Sequence, residues 1–146
     1  MALFKFTKNI LLGEPIDVYN NGNMLRDFTY IDDLVKAIFL LISKVPSKHK
    51  KNKEILKNDT ISPVAPFRVV NIGNSKPINL LDFIRELENI LGKVAKKNYL
   101  SMQDGDIQNT HSNIDMLRAL TGFEPNTDVH KGISQFIKWY KSYYLS

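Results

Sequence analysis

The sequence predicts an α/β fold, and three observations carry that reading. Short strand-like runs alternate along the chain with stretches whose apolar residues recur at helical spacing. Most of those helical stretches have a capping residue in front of them or a glycine behind. One strand-like run, Phe67-Arg68-Val69-Val70-Asn71-Ile72, is short, apolar and followed by a helix, as a strand of a larger parallel sheet would be. Few other segments could sandwich that strand, so the chain reads as part of a domain with a smaller companion.

Ala2 to Leu12 is predicted as a helix, apolar on more than one side through Leu3, Phe4, Phe6, Ile10 and Leu11, with Gly13 as its stop. Ile16 to Tyr19 is a short strand. Asn20-Asn21-Gly22-Asn23 is a turn built from residues that tolerate positive φ. Arg26 to Tyr30 has strand character and leads to a helix from about Asp33 to Ile42, with Asp32 as N-cap. Asn79 caps a helix through Leu91, whose apolar face is Leu80, Phe83, Ile84, Leu87 and Leu91, and Gly92 follows it. Lys97 to Met102 is a candidate short strand. Asn113 starts a helix reaching Thr121 and Gly122 ends it. Thr127 or Asp128 caps the last helix, whose apolar face is Val129, Ile133, Phe136, Ile137, Tyr140 and Tyr144.

Composition narrows the class. The 146 residues suit one domain, with ordinary hydrophobic and charged content and no apolar run long enough for a membrane helix. No secretory leader is read at the N-terminus, and without cysteine there is neither a disulfide framework nor a thiolate metal site. A cytoplasmic protein is the simplest expectation. The net charge of +5 invites a nucleic-acid partner, but the lysines cluster at 44, 48, 50, 51, 53 and 57. That stretch lacks apolar periodicity and interleaved aromatics, so it reads as a solvated basic insertion spanning 44–66. No nucleic-acid and no membrane partner is expected.

Catalytic constellations are missing. His49, His111 and His130 lack metal-ligand spacing and read as surface residues, and no metal site is expected. The seven glycines are too far apart for a dinucleotide-binding fingerprint, and no tyrosine is followed four positions later by lysine. Asp104-Gly105-Asp106 lacks the remaining ligands of a calcium loop.

Two loops remain. In Arg26-Asp27-Phe28-Thr29-Tyr30-Ile31-Asp32-Asp33, an arginine after a turn can offer a planar fork of donors to a diphosphate. The alternative is a surface ion pair with Asp27 or another carboxylate. In Gln103-Asp104-Gly105-Asp106, Asp106 can accept hydrogen bonds from a ribose diol while Gln103 bonds a phosphate or sugar oxygen. The alternative is a plain Asp-Gly turn.

The order of these segments is more specific than any one of them. Arg-Asp-Phe-Thr-Tyr-Ile-Asp-Asp is followed by Asn-Ile-Gly-Asn, Gln-x-Gly-Asp, Gly-Phe-x-Pro-x-Thr and Gly-Ile-x-x-Phe-x-x-Trp-Tyr. This series resembles the distal half of the extended short-chain dehydrogenase/reductase family, and within it the UDP-glucuronate 4-epimerases, a group that includes capsular polysaccharide biosynthesis proteins. The resemblance covers nearly the whole chain outside about 46–64. It implies the substrate-binding lobe plus the distal strand and helices of an incomplete Rossmann-type domain. It also implies roles. Arg26 would contact the UDP diphosphate, Asp17, Val18 and Tyr19 would meet the uracil, and Gln103 and Asp106 would close over phosphate and ribose. Phe28, Tyr30 and Asp33 would be scaffold, fixing the loop and capping the helix, and Trp139 would be core or interface.

Several family features are missing from the chain. The glycine-rich NAD loop, the Tyr-x-x-x-Lys pair and its Ser/Thr partner belong to the family's N-terminal half. Met1 coincides with a methionine that members carry internally, so the chain is expected to begin mid-protein and to lack the NAD-binding half. Asp104 stands where members have proline, and Asn113 where they have aspartate. Residues 1–146 are thus expected to be a nucleotide-sugar-binding portion without catalytic residues or retained NAD. Such a portion would bind UDP-sugar weakly and self-associate through the face the missing half would cover. Other readings are one chain of a split enzyme that reassembles with an N-terminal half, a nucleotide-sugar dehydratase or decarboxylase fragment, or a repurposed interaction module.

Overall fold

A computed structural model of the chain describes residues 2–46 and 55–145. In chain order the elements are α1 (Ala2–Leu12), β1 (Ile16–Val18), β2 (Leu25–Arg26), α2 (Ile31–Ile42), β3 (Ile78–Asn79), α3 (Leu80–Leu91), β4 (Lys97–Tyr99), α4 (Asp115–Thr121) and α5 (Val129–Tyr144). They fall into two units. The first takes in the described residues of Met1–Arg26, Pro77–Thr110 and Asp128–Ser146; the second takes in those of Asp27–Lys76 and His111–Thr127. Among the described residues no helix is long and apolar enough to cross a membrane.

In the first unit α3 is the central element and packs against both α1 and α5. Its apolar residues fall on one face as predicted, and Leu80, Phe83, Ile84, Leu87 and Leu91 are buried there. Phe6 and Ile10 from α1 and Ile133, Ile137 and Tyr140 from α5 complete this interior. Local chemistry sets the ends of α3. Leu81 N donates to the Asn79 side chain at 2.8 Å, and Gly92 closes the helix at φ 66°. Asp128 accepts from His130 N at the start of α5 and so takes the cap over Thr127. Strands β1 and β4 pair in parallel, with Ile16 opposite Lys97 and Val18 opposite Tyr99. Strands β2 and β3 pair antiparallel. The turn after β1 holds Asn20 and Asn21 at φ 49° and 51° and Gly22 at φ 80°. At Gly22 packing adds a second demand, because a Cβ would sit 2.5 Å from Leu81 Cγ.

The second unit is built on a smaller interior. Ala37 of α2 and Ile114 and Leu117 at α4 are buried together, with Leu41, Val70, Ile72 and Phe123 partly buried against them. Asp27 organises the surrounding loops, its Oδ2 accepting from the backbone amides of Ser75 at 3.0 Å and Ser112 at 2.9 Å. Gly73 allows that approach, since a Cβ there would lie 2.2 Å from Ser112 Cβ. Within the predicted insertion, residues 55–66 are ordered about Asp59. Its carboxylate accepts from Arg68 through two guanidinium nitrogens at 2.8 and 2.9 Å, and from the amides of Ile55 and Ile61. The expected solvated loop therefore contains a built turn, while its lysines at 48, 50, 51 and 53 and His49 lie outside the described residues.

Three boundaries differ from expectation. The strand expected over Arg26 to Tyr30 stops at Arg26, and the next residue, Asp27, has its carboxylate held by the Ser75 and Ser112 amides. Helix α2 begins at Ile31 with Tyr30 at the N-cap position. Asp32 and Asp33 lie in its first turn, where carboxylates suit the helix dipole, and Asp33 accepts from Asn126 N and Thr127 N instead of capping α2. Residues 67–72 form no ladder among the described residues. Their exposure still alternates residue by residue, with Val70 and Ile72 turned to the interior and Phe67 and Val69 to solvent. The reason is a lack of partners. Val69 bonds the Thr60 hydroxyl through both its amide and its carbonyl, and the Phe67 carbonyl accepts from Ser62 N.

Candidate functional site

The first unit contains a cavity of about 810 Å³ lined by Tyr19, Leu100, Ser101, Met102, Gln103, Asp104, Gly105 and Asp106. Its position follows from the parallel pairing of β1 and β4, which brings both carboxyl ends out at one edge. Tyr19 leaves β1 there, and Leu100 through Asp106 leave β4. Ligands of open α/β sheets bind at such an edge. Backbone bonds fix the two exits against each other, Leu100 N to Val18 O at 3.0 Å and Asn21 N to Leu100 O at 3.2 Å. The loop beyond turns tightly, with Asp106 N donating to Gln103 O at 3.2 Å and Gly105 at φ 81°.

Arg26 reaches this rim from β2. Its Nη2 lies 3.1 Å from Asp106 Oδ1, and its Nη1 donates to the carbonyls of Leu25 and Gln108. Strand β2 is held on its other side by Leu25 N to Gln108 O and Thr110 N to Leu25 O, so the guanidinium stands on a braced segment. The alternative of an ion pair with Asp27 or another carboxylate is met by Asp106, while the Asp27 carboxylate accepts from the amides of Ser75 and Ser112. Asp106 also accepts from Ile107 N, which orients its carboxylate.

The sequence-predicted residues divide by geometry. Tyr19, Gln103 and Asp106 share one cavity wall, and Arg26 joins them through Asp106. Asp17 is exposed on β1 and accepts from Asn98 Nδ2 at 2.9 Å, its neighbour in register on β4. Val18 is fully buried and its carbonyl accepts from Leu100 N, so it supports the cavity wall and does not line it. Leu100, Ser101 and Met102 also line the cavity and were not anticipated; their position directly after a strand paired in parallel was the available signal. This wall offers a tyrosine ring, a hydroxyl, a primary amide and two carboxylates. Such a set can stack a flat base and accept hydrogen bonds from sugar hydroxyls. His111 and His130 are exposed, and the His130 ring bonds Glu86 at 2.9 Å. Among the described residues no three His, Cys, Asp or Glu side chains are grouped to hold a metal.

An α/β chain with its cavity at the carboxyl edge of parallel strands belongs to a broad class, and comparison narrows it. Residues 1–56 match the NAD dependent epimerase/dehydratase family. Protein CapI of Staphylococcus aureus is 47% identical over 144 residues, 99% of this chain and 43% of that protein. A probable UDP-glucuronate 4-epimerase of Rhizobium meliloti is 46% identical over 144 residues, covering 42% of its length. The crystal structure of UDP-glucuronic acid 4-epimerase from Bacillus cereus with UDP-glucuronic acid and NAD superposes with a TM-score of 0.78 at 28% identity. That match covers 99% of this chain and 40% of the epimerase. By sequence and fold, the chain is similar to the C-terminal part of these epimerases of the extended short-chain dehydrogenase/reductase type. It spans less than half the length of these relatives.

Proposed function

We propose that this chain is the UDP-sugar-binding portion of an NAD-dependent nucleotide-sugar 4-epimerase of the UDP-glucuronate/UDP-galacturonate type, working in the cytoplasm and inactive by itself. One observation carries the reading. The cavity at the carboxyl edge of β1 and β4 gathers Tyr19, Gln103 and Asp106 beside Arg26, in a chain close in sequence to UDP-glucuronate 4-epimerases. In this reading Arg26 takes the diphosphate, Gln103 and Asp106 close over phosphate and ribose, and Asp17, Val18 and Tyr19 border the uracil. To reach Arg26, the diphosphate displaces the Asp106 carboxylate, which is then free to accept from the ribose. Residues 44–66 act as an insertion outside this site.

NAD does not fit the residues present. The chain has no closely spaced glycines to cradle a pyrophosphate and no Tyr-x-x-x-Lys pair, so no hydride step is assigned to it. A second reading has an observation in its favour. Ile31, Val35, Ile38, Phe39 and Ile42 form an exposed apolar stripe along α2, and Phe67 and Val69 are exposed in the same unit. Such a surface suits an N-terminal half that would rebuild an enzyme, or in its absence a second copy of this chain.

Calorimetric titration with UDP and with UDP-glucuronate tests the proposal. Binding near the millimolar range is expected, with no epimerised product. Arg26→Ala removes a charge-assisted contact of about 1.5–3 kcal/mol and should abolish most of that binding in a folded protein. Equal affinity in both proteins would remove Arg26 from the site, and turnover by the chain alone would overturn the inactive assignment.

A further inference from the structure

The first unit holds a second concave site, a groove of about 570 Å³ between α1 and α5, lined by Phe4, Lys5, Lys8, Asn9, Phe136 and Trp139. None of these residues lines the cavity beyond β1 and β4. Both helices rest on α3. They meet each other through Phe4, whose ring stands edge-on to Tyr140 at 5.3 Å and to Tyr144 at 5.6 Å. The space left beside that contact is the groove.

Its walls differ in chemistry. Phe136 and Tyr143 hold the Trp139 ring at centroid distances of 5.6 and 5.7 Å, yet Trp139 is 47% exposed. An indole fixed by its neighbours but open to water is a stacking platform with little rotamer freedom left to lose. On the α1 side Lys5 and Lys8 are both exposed, and neither has an ion pair among the described residues. The groove thus pairs an aromatic wall with two uncommitted cations.

Size selects among occupants. Phe4 to Asn9 covers about 7.5 Å of helix at about 1.5 Å per residue, too short to seat a docked helix. The volume instead falls in the range of small-molecule sites, about 300–1,000 Å³. A second copy of the chain is disfavoured by charge, since each copy carries a net +5 and would meet these lysines. We propose that the α1–α5 groove binds a flat, anionic small molecule, its rings against Phe136 and Trp139 and its acidic group at Lys5 and Lys8.

Trp139 is the only tryptophan, so the groove carries its own reporter. In a proton–nitrogen correlation spectrum the chain has one indole N–H signal, to be followed during titration with 1-anilinonaphthalene-8-sulfonate. The neutral N-phenyl-1-naphthylamine, with the same fused rings, serves as the control. The sulfonate is expected to shift the indole signal saturably and to bind about three- to tenfold more tightly than the amine, as two exposed ion pairs allow. Lys5→Gln with Lys8→Gln should erase that difference while the amine binds as before, which shows that the groove survives the substitutions. An indole signal unmoved by the sulfonate, equal affinity for the two probes, or sulfonate binding unchanged in the double variant would each overturn the proposal. An indole shift on raising protein concentration alone would also overturn it, by assigning the groove to contacts between copies.

Discussion

The two units solve the same problem with different means. The first covers its apolar residues with its own helices: Phe83, Ile84 and Leu87 of α3, with Ile16 and Val18 of β1, are fully or almost fully buried. Among the described residues of the second, Ala37, Ile114 and Leu117 are buried as a cluster, with Phe39 on its main helix 73% exposed. It compensates with polar devices. Asp27 gathers loops, Lys36 lies 4.6 Å over the Phe123 ring, and Arg68 and Asp59 form an ion pair whose side chains are 7% and 0% exposed. The first unit buries its apolar interior among α1, α3, α5 and β1. The second is folded around charges and leaves Ile38, Phe39 and Ile42 exposed on α2.

The sharpest contrast lies at Asp59. Replacing it with alanine strands a buried guanidinium and should cost the second unit about 3–5 kcal/mol, read by urea denaturation and by hydrogen exchange at the Ile61 and Val69 amides. First-unit amides should hold their protection. Burial pushes the Asp59 carboxyl up, but the Arg68 hydrogen bonds and the amides of Ile55 and Ile61 outweigh it and hold the pKa below the ordinary carboxylate range. A pKa depressed by folding contributes stability that is fully present above the unfolded value and is lost as pH falls through the folded one. The loop should therefore be insensitive to pH near neutrality and loosen only in strong acid. Loosening near neutral pH would contradict the pairing.

Paired substitutions measure the apolar side of the difference. Leu87→Ala empties a fully buried position and should cost the first unit about 2–5 kcal/mol. Phe39→Ser on α2 should leave unfolding almost unchanged and instead reduce self-association in sedimentation runs across a wide concentration range. Burying such a side chain in a contact is worth about 1.5–3 kcal/mol. A compact monomer at high concentration in the unsubstituted protein would show that the second unit needs no cover.

The smallest effect tests the local signals. Asn79→Ala removes the acceptor for Leu81 N and should cost the first unit about 0.5–2 kcal/mol in thermal unfolding, with α3 otherwise intact. No measurable change would mean that burial alone fixes where α3 begins.

Elements governed by local chemistry were readable from the sequence. Helix α3, with Asn79 before it, five spaced apolar residues and Gly92 after it, was predicted in full. Helix α1 and the turn over Asn20, Asn21 and Gly22 followed from the same kind of signal. Of the residues lining the cavity, Gln103 and Asp106 were singled out by the chemistry of their loop and Tyr19 by the family resemblance, while Leu100, Ser101 and Met102 were missed because their residue types carry no signal apart from strand pairing.

Short-range preferences act over one turn, which is why the sequence by itself determined the helices, the caps at Asn79 and Asp128 and the glycine stops, but not the cap of α2. Long-range pairing decided the rest. The parallel register of β1 and β4 made the cavity, and contacts distant in sequence brought Arg26 to Asp106 and the Ser75 and Ser112 amides to Asp27. A strand pattern such as 67–72 becomes a ladder only if another strand comes within hydrogen-bonding reach. Among the described residues none does, and Thr60 and Ser62 take its backbone bonds instead.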